Sequence, residues 1–156
     1  MRRRDREITN PNTIENFIKK EQLLRIAFYD EGDIYIVPVN YGYSCKDNQY
    51  SFYFHGAKAG RKYELAQNSP IVGFEIDGKY ELLENETACG FSAAFQSIIG
   101  TGKLRLLNTE DEKKAGLNAI MRQATQQTEW EYDDKTLEAV AVFRLDVQKF
   151  SCKMKK

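Results

Sequence analysis

YSFYFHGAKAGRK, residues 50 to 62, runs from a string of β-formers through two glycines into a cluster of cations. The run up to His55 reads as a strand, Gly56 and Gly60 as a tight turn, and KAGRKYELAQN (58–68) as a helix closed by Ser69-Pro70. In a helix beginning near Lys58, the side chains of Lys58, Arg61 and Lys62 are three and four residues apart and converge on one side. They also oppose the helix macrodipole, which costs up to about 1 kcal/mol each when exposed. A bound phosphate reverses both effects, since free N–H groups, the dipole and a bidentate arginine all favour an anion. A solvated helix end with Glu64 as partner accounts for the same residues, and this stretch alone leaves both readings open.

Upstream, LLRIAFY (23–29) alternates, DEGD makes a turn, and IYIVPVNYGY (34–43) forms the second arm of a hairpin. Pro38 cannot donate to a ladder, so it belongs at a sheet edge or bulge where neighbouring backbone groups are free for a ligand. Before the hairpin, TNPNTIENFIKKEQ reads as a helix with Pro11 in the first turn and Ile14, Phe17 and Ile18 on one face.

Downstream, IVGFEI (71–76) is a strand, and DGKYELLENETACGFSAAF (77–95) has no clean period and reads as an excursion or a broken strand. In QSIIGTGKLRLL (96–107), Gly100 and Gly102 mark a bend or a close backbone approach. NTEDEKKAGLNAIMRQAT is a helix capped by Asn108 or Thr109, and AVAVFRLDVQKF (139–150) is the last strand. About six strands and three helices, joined early by hairpins and without a βαβ rhythm, predict a mainly β fold: an antiparallel barrel with peripheral helices.

A length of 156 residues, 42% hydrophobic, suits one domain spanning residues 1–156. Lys plus Arg equals Asp plus Glu at 23 each, so the whole chain has no electrostatic pull towards nucleic acid or acidic membranes, and an anion site must be local. The basic start MRRRDR has no interleaved aromatics and reads as a solvated tail. Polar DREITNPN stands where a signal peptide would be apolar and no later run spans a bilayer, so the expected location is the cytoplasm. Cys45, Cys89 and Cys152 are odd in number and widely spaced, which predicts reduced thiols and no structural zinc.

A single histidine, His55, excludes zinc motifs that need two imidazoles and leaves no metal site to predict. GFSAA (90–94) lacks the second glycine of a nucleophile elbow, with Ala94 in its place. GTGKLR (100–105) has Arg105 where a dinucleotide fingerprint needs glycine, and GAKAGRK lacks the ending of a P-loop.

Taken as a set, PVNYGY, YFHGAKAGRK, NSPIVGFEI and CGFSAAFQSIIGTGKLRLL resemble the flavin-binding split-barrel proteins related to pyridoxamine 5'-phosphate oxidase. The subgroup most like this chain is that of the 5-nitroimidazole-resistance (Nim) proteins, and the resemblance runs from about Arg2 to RLDV at 144–147. It implies a six-stranded antiparallel Greek-key split β-barrel that forms a homodimer with FMN at the interface. The family's phosphate-binding Arg-Lys pair matches Arg61 and Lys62, with Lys58 beside them; Gly60 replaces the serine common in relatives. Pro38, Val39 and Asn40 match the segment lying along the isoalloxazine ring, and Ser97 a position near the flavin or its phosphate. His55 matches a histidine of the Nim-like subgroup, a candidate catalytic proton donor or ring contact.

The implied activity is FMN-dependent reduction of small nitroaromatic compounds, with NAD(P)H or another electron donor. The alternatives are a haem-binding or haem-degrading split barrel with His55 as ligand, a non-catalytic flavin binder, or a deazaflavin in place of FMN. Pyridoxamine 5'-phosphate oxidation is disfavoured, because no substrate-binding segment follows the last predicted strand before SCKMKK.

Overall fold

Nine strands pair antiparallel in the computed structural model, which describes residues 3–68, 70–78 and 80–155. In chain order they are β1 (Glu7–Ile8), β2 (Leu23–Asp30), β3 (Asp33–Asn40), β4 (Gly42–Lys46), β5 (Gln49–Ala57), β6 (Ile71–Asp77), β7 (Glu81–Leu83), β8 (Ser92–Leu107) and β9 (Val140–Lys155). The helices are α1 (Pro11–Lys20), α2 (Arg61–Ala66), α3 (Glu110–Thr125) and α4 (Asp134–Ala139). The predicted antiparallel mainly β architecture with outer helices is what forms, with nine strands in place of six: β4 separates from the run that begins at β3, and β1 and β7 are short additions. The fourth helix, α4, is additional to the three that the sequence predicts. The Ser69 stop signal and the first two residues of the basic start lie outside the described residues.

The sheet runs β3-β2-β6-β8-β9-β5-β4, so hydrogen bonding leaves β3 at one edge. Pro38 is tolerated there because the missing N–H would have faced away from β2. β4 pairs with β5 only as far as Tyr53, so Phe54–Ala57 have β9 as their one strand partner. β3 approaches β5 without pairing to it, and the barrel is split along that line.

Alternation fills the inside. Leu24, Ile26 and Phe28 of β2, Phe52 and Phe54 of β5, Phe74 and Ile76 of β6, and Phe143 and Leu145 of β9 are fully or nearly fully buried. The long β8–β9 ladder shifts register between Thr101 and Gly102, the place the two glycines had marked. A Cβ on Gly100 would lie 2.5 Å from the Lys149 carbonyl oxygen and one on Gly102 2.4 Å from that of Asp146, so both permit the close approach at the bulge.

The helices begin where the caps stand. The Asn10 side chain accepts from the Thr13 N–H at 3.0 Å with Pro11 in the first turn of α1, and Thr109 and Glu112 form a capping box on α3. α1 presents Ile14, Phe17 and Ile18 to the barrel. α3 packs outside it, forming with α4 and β9 a second apolar cluster of Leu107, Leu117, Ile120, Leu137 and Val142. No helix among the described residues is long and apolar enough to cross a membrane.

Candidate functional site

The three cations of HGAKAGRK do not share a helix face. α2 begins at Arg61 with Gly60 as its N-cap at φ +87°, so Lys58 lies in the turn after β5 and the expected spacing of three and four residues on one helix does not exist. The helix is six residues long, and its dipole is correspondingly slight. The opposition of charge and dipole read from the sequence is therefore small, and each cation has its own environment.

Arg61 reaches the tip of the β2–β3 hairpin. Its Nε donates to Asp30 Oδ2 and its Nη2 to Asp33 Oδ2, both at 2.8 Å, while the guanidinium lies 4.8 Å from the centre of the Tyr35 ring. Asp33 has its pKa lowered by the Arg61 hydrogen bond, then by the Ile34 N–H. Lys62 turns inward over Phe54 and Phe143, its Nζ 5.5 and 5.4 Å from the ring centres. A Cβ on Gly56 would come within 3.1 Å of that Nζ, so the glycine makes the space the ammonium occupies. Burial lowers the Lys62 pKa, and no carboxylate among the described residues forms an ion pair with it. Lys58 turns elsewhere, to a cleft between α3 and α4.

His55 is on the half of β5 that borders the split, paired with Val142 of β9. Partial burial of the ring, and secondarily the charge of Lys62, lower its pKa, so the neutral imidazole is favoured at neutral pH. Across the split lies the free edge of β3, where Pro38 and Asn40 are exposed and Val39 is buried. Pro38, Val39 and Asn40 on β3 and His55 on β5 thus belong to the two strands that flank the split, and α2 with Arg61 and Lys62 follows directly from β5. Ser97 is not part of that group: it sits on β8, beyond β2 and β6 from β3, about 14 Å away at ordinary strand spacing.

Ser97 does share with Pro38 and Asn40 the outward face of the sheet. Register aligns Ile36, Ala27, Gly73 and Thr101 in one row and Pro38, Arg25, Glu75 and Ile99 in the next. Ile36 is 58% and Ile99 57% exposed, and Ile34 and Tyr29 extend the apolar surface towards the hairpin tip. Arg25 is the charged centre of this face, donating to Glu75 at 3.0 Å and pairing also with Asp77.

Asp30, Asp33 and Tyr35, which hold Arg61, escaped the sequence reading. As a sequence DEGD signals a turn, and the signal for its further role is the pair of acids flanking a two-residue hairpin tip. Ser92, the nucleophile position of the near-miss elbow, stands in β8 as a hydrogen-bond partner of Lys155, in line with the rejection of that motif.

An antiparallel split barrel with a single histidine, one inward-turned lysine and an arginine held at the hairpin tip beside it defines the class. The sequence model of the pyridoxamine 5'-phosphate oxidase family matches residues 10–154, and the chain belongs to that family. No curated protein matches the sequence. Among solved structures, a Bacteroides thetaiotaomicron protein provisionally assigned to 5-nitroimidazole antibiotic resistance is 27% identical, with a TM-score of 0.81 over 95% of this chain and 86% of that one. The flavocytochrome Anf3 of Azotobacter vinelandii is 19% identical (TM-score 0.81, 100% of this chain, 72% of that one). An FAD- and haem-binding protein of Mycobacterium smegmatis is 13% identical (TM-score 0.83, 97% and 74%). The last two are likenesses of fold.

Proposed function

We propose that the chain is an FMN-binding flavoprotein that reduces small nitroaromatic compounds as a homodimer. The observation that carries the flavin reading is Lys62, a partly buried ammonium beside the split of the barrel with no carboxylate partner among the described residues. Such a group is stabilised by an anion from outside the chain, and a phosphoryl group is the anion that the family supplies. Arg61 is the second phosphate ligand, drawn from its place between Asp30 and Asp33.

The flavin ring lies along the free edge of β3 at Pro38, Val39 and Asn40. From Asp33 to Pro38 is about 17 Å at strand spacing, which an extended flavin mononucleotide spans. The residues fit the group: an apolar edge, backbone atoms not used by a ladder, and two cations at one end. Bound flavin supplies the two-electron chemistry. The chain's own part is to orient the ring, exclude water from one of its faces and keep His55 neutral as a hydrogen-bonding group beside the substrate.

The exposed apolar face of β3, β2, β6 and β8 is the dimer surface, and Ser97 on it reaches the flavin of the partner copy. The likeness to the Bacteroides protein supports a nitroimidazole-like substrate, with NAD(P)H as the donor tested first.

A yellow purified protein that releases FMN on heating is expected, and protein that takes up no FMN on titration overturns the reading. Replacing Arg61 and Lys62 together by Ala weakens FMN binding more than tenfold, from two charge-assisted contacts of about 1.5 to 3 kcal/mol each; unchanged affinity in a fluorescence titration places the phosphate elsewhere. Flavin uptake without NAD(P)H-dependent turnover of a nitroimidazole indicates a binder without this reductase activity. A Soret band on haem addition that His55→Ala abolishes indicates the haem reading.

A further inference from the structure

Lys113, 9% exposed, is the one buried charged residue among those described. It lies one helical turn before Leu117 on α3, so its stem continues the stripe that packs against α4 and β9. Its Nζ donates to the Leu137 carbonyl oxygen at 2.6 Å, and no carboxylate among the described residues is within ion-pair distance. The amine has exchanged part of its water for a carbonyl, with no carboxylate among the described residues in direct contact.

The groups facing it come from three elements. Lys58 arrives from the turn after β5, Glu110 from α3 itself, and Asp134 and Glu138 from α4. Glu110 is engaged by Lys114, and Glu138 is the acid whose charge favours the Lys113 ammonium. Burial acts against that ammonium most strongly and Lys58 next, and together they outweigh Glu138 and lower the pKa. These groups line a cleft of about 370 Å³ whose floor includes Leu137.

We propose that Lys113 is a nucleophilic amine in this cleft, which binds a small carbonyl compound carrying an anionic group, with Lys58 as the partner of the anion. A neutral amine donates one N–H to the Leu137 carbonyl and keeps its lone pair for the cleft. The lone pair attacks the carbonyl carbon and a C–N bond forms. The carbonyl oxygen then leaves as water with the two protons of the amine, and an imine remains. A desolvated lysine beside a second cation is an arrangement that activates an amine for this reaction. The site is separate from Arg61 and Lys62 and does not depend on the flavin reading.

Glyoxylate with cyanoborohydride, applied to the full-length protein with and without added FMN, tests the proposal by peptide mapping. At pH 7.5 the reduced adduct is expected on Lys113 at least tenfold faster than on the exposed Lys135 and Lys149. Lys113→Arg removes that adduct and leaves the others. Lys58→Gln lowers the ratio of glyoxylate to propanal labelling at Lys113 several-fold; both reagents need the neutral amine, so the ratio reports attraction of the carboxylate alone. Labelling of Lys113 no faster than that of the two exposed lysines overturns the nucleophile, and an unchanged ratio overturns the role of Lys58. Protection of Lys113 by added FMN assigns the cleft to flavin and overturns a separate site.

Discussion

In the proposed phosphate site, Arg61 is the residue at which the protein's own anions would compete with the ligand. Asp30 and Asp33 accept from its donors, and the guanidinium lies over Tyr35 at the hairpin tip. Replacing both acids by Asn frees the guanidinium, and FMN binding is expected to tighten several-fold while riboflavin, which lacks the phosphate, binds as before; parallel fluorescence titrations decide it. Loss of FMN affinity in that variant would mean that the acids position Arg61 for its ligand. His55 gives a pH signature of opposite origin. Its folded pKa is lowered, so the unfolded chain binds the extra proton first and stability falls as pH drops through the ordinary histidine range near about 6.5. Thermal melts across pH 7.5 to about 5.5 should show this slope, and His55→Gln should flatten it.

At the scale of elements, β4 and α3 meet without side chains between them. A Cβ on Gly42 would lie 2.1 Å from the backbone carbonyl carbon of Ala119, inside a helix that cannot yield locally. Gly42→Ala is therefore expected to cost about 1 to 3 kcal/mol, and a melting curve should fall by roughly 3 to 10 °C. This contact also shows where sequence reading stops. The strands of the hairpin, β5, β6 and the glycine-marked ladder were legible, because alternation and turn residues are local signals. Helices α1 and α3 were legible from Pro11 and from the Thr109 cap. The start of α2 was read three residues early, because Gly60 at positive φ breaks a helical spacing that looks continuous from Lys58. The candidate site divides in the same way: Pro38 at an edge follows from missing N–H chemistry, whereas the capture of Arg61 by residues about thirty positions upstream is a tertiary event that no spacing announces.

At the scale of the molecule, the proposed dimer rests on the outward sheet face. Its exposed isoleucines lie in adjacent rows around the Arg25–Glu75 pair, a polar centre in an apolar field. Ile36→Glu combined with Ile99→Lys is expected to convert a dimer into monomers by sedimentation and to lower flavin occupancy with it. A variant that remains dimeric would place the contact on another face. The ladder of β8 and β9 bears on how the chain reaches this state. Its two strands are sixteen residues each, and the chain between Leu107 and Val140 must close as a loop containing α3 and α4 before the first pair can form. β6 then pairs with β8, and β5 and β1 with β9, on the sides of that ladder. Such non-local closure makes for slow folding compared with the local β2–β3 hairpin. Amides of the ladder should therefore be the last protected during refolding and the slowest to exchange in the folded protein, a hierarchy that pulsed hydrogen exchange can read.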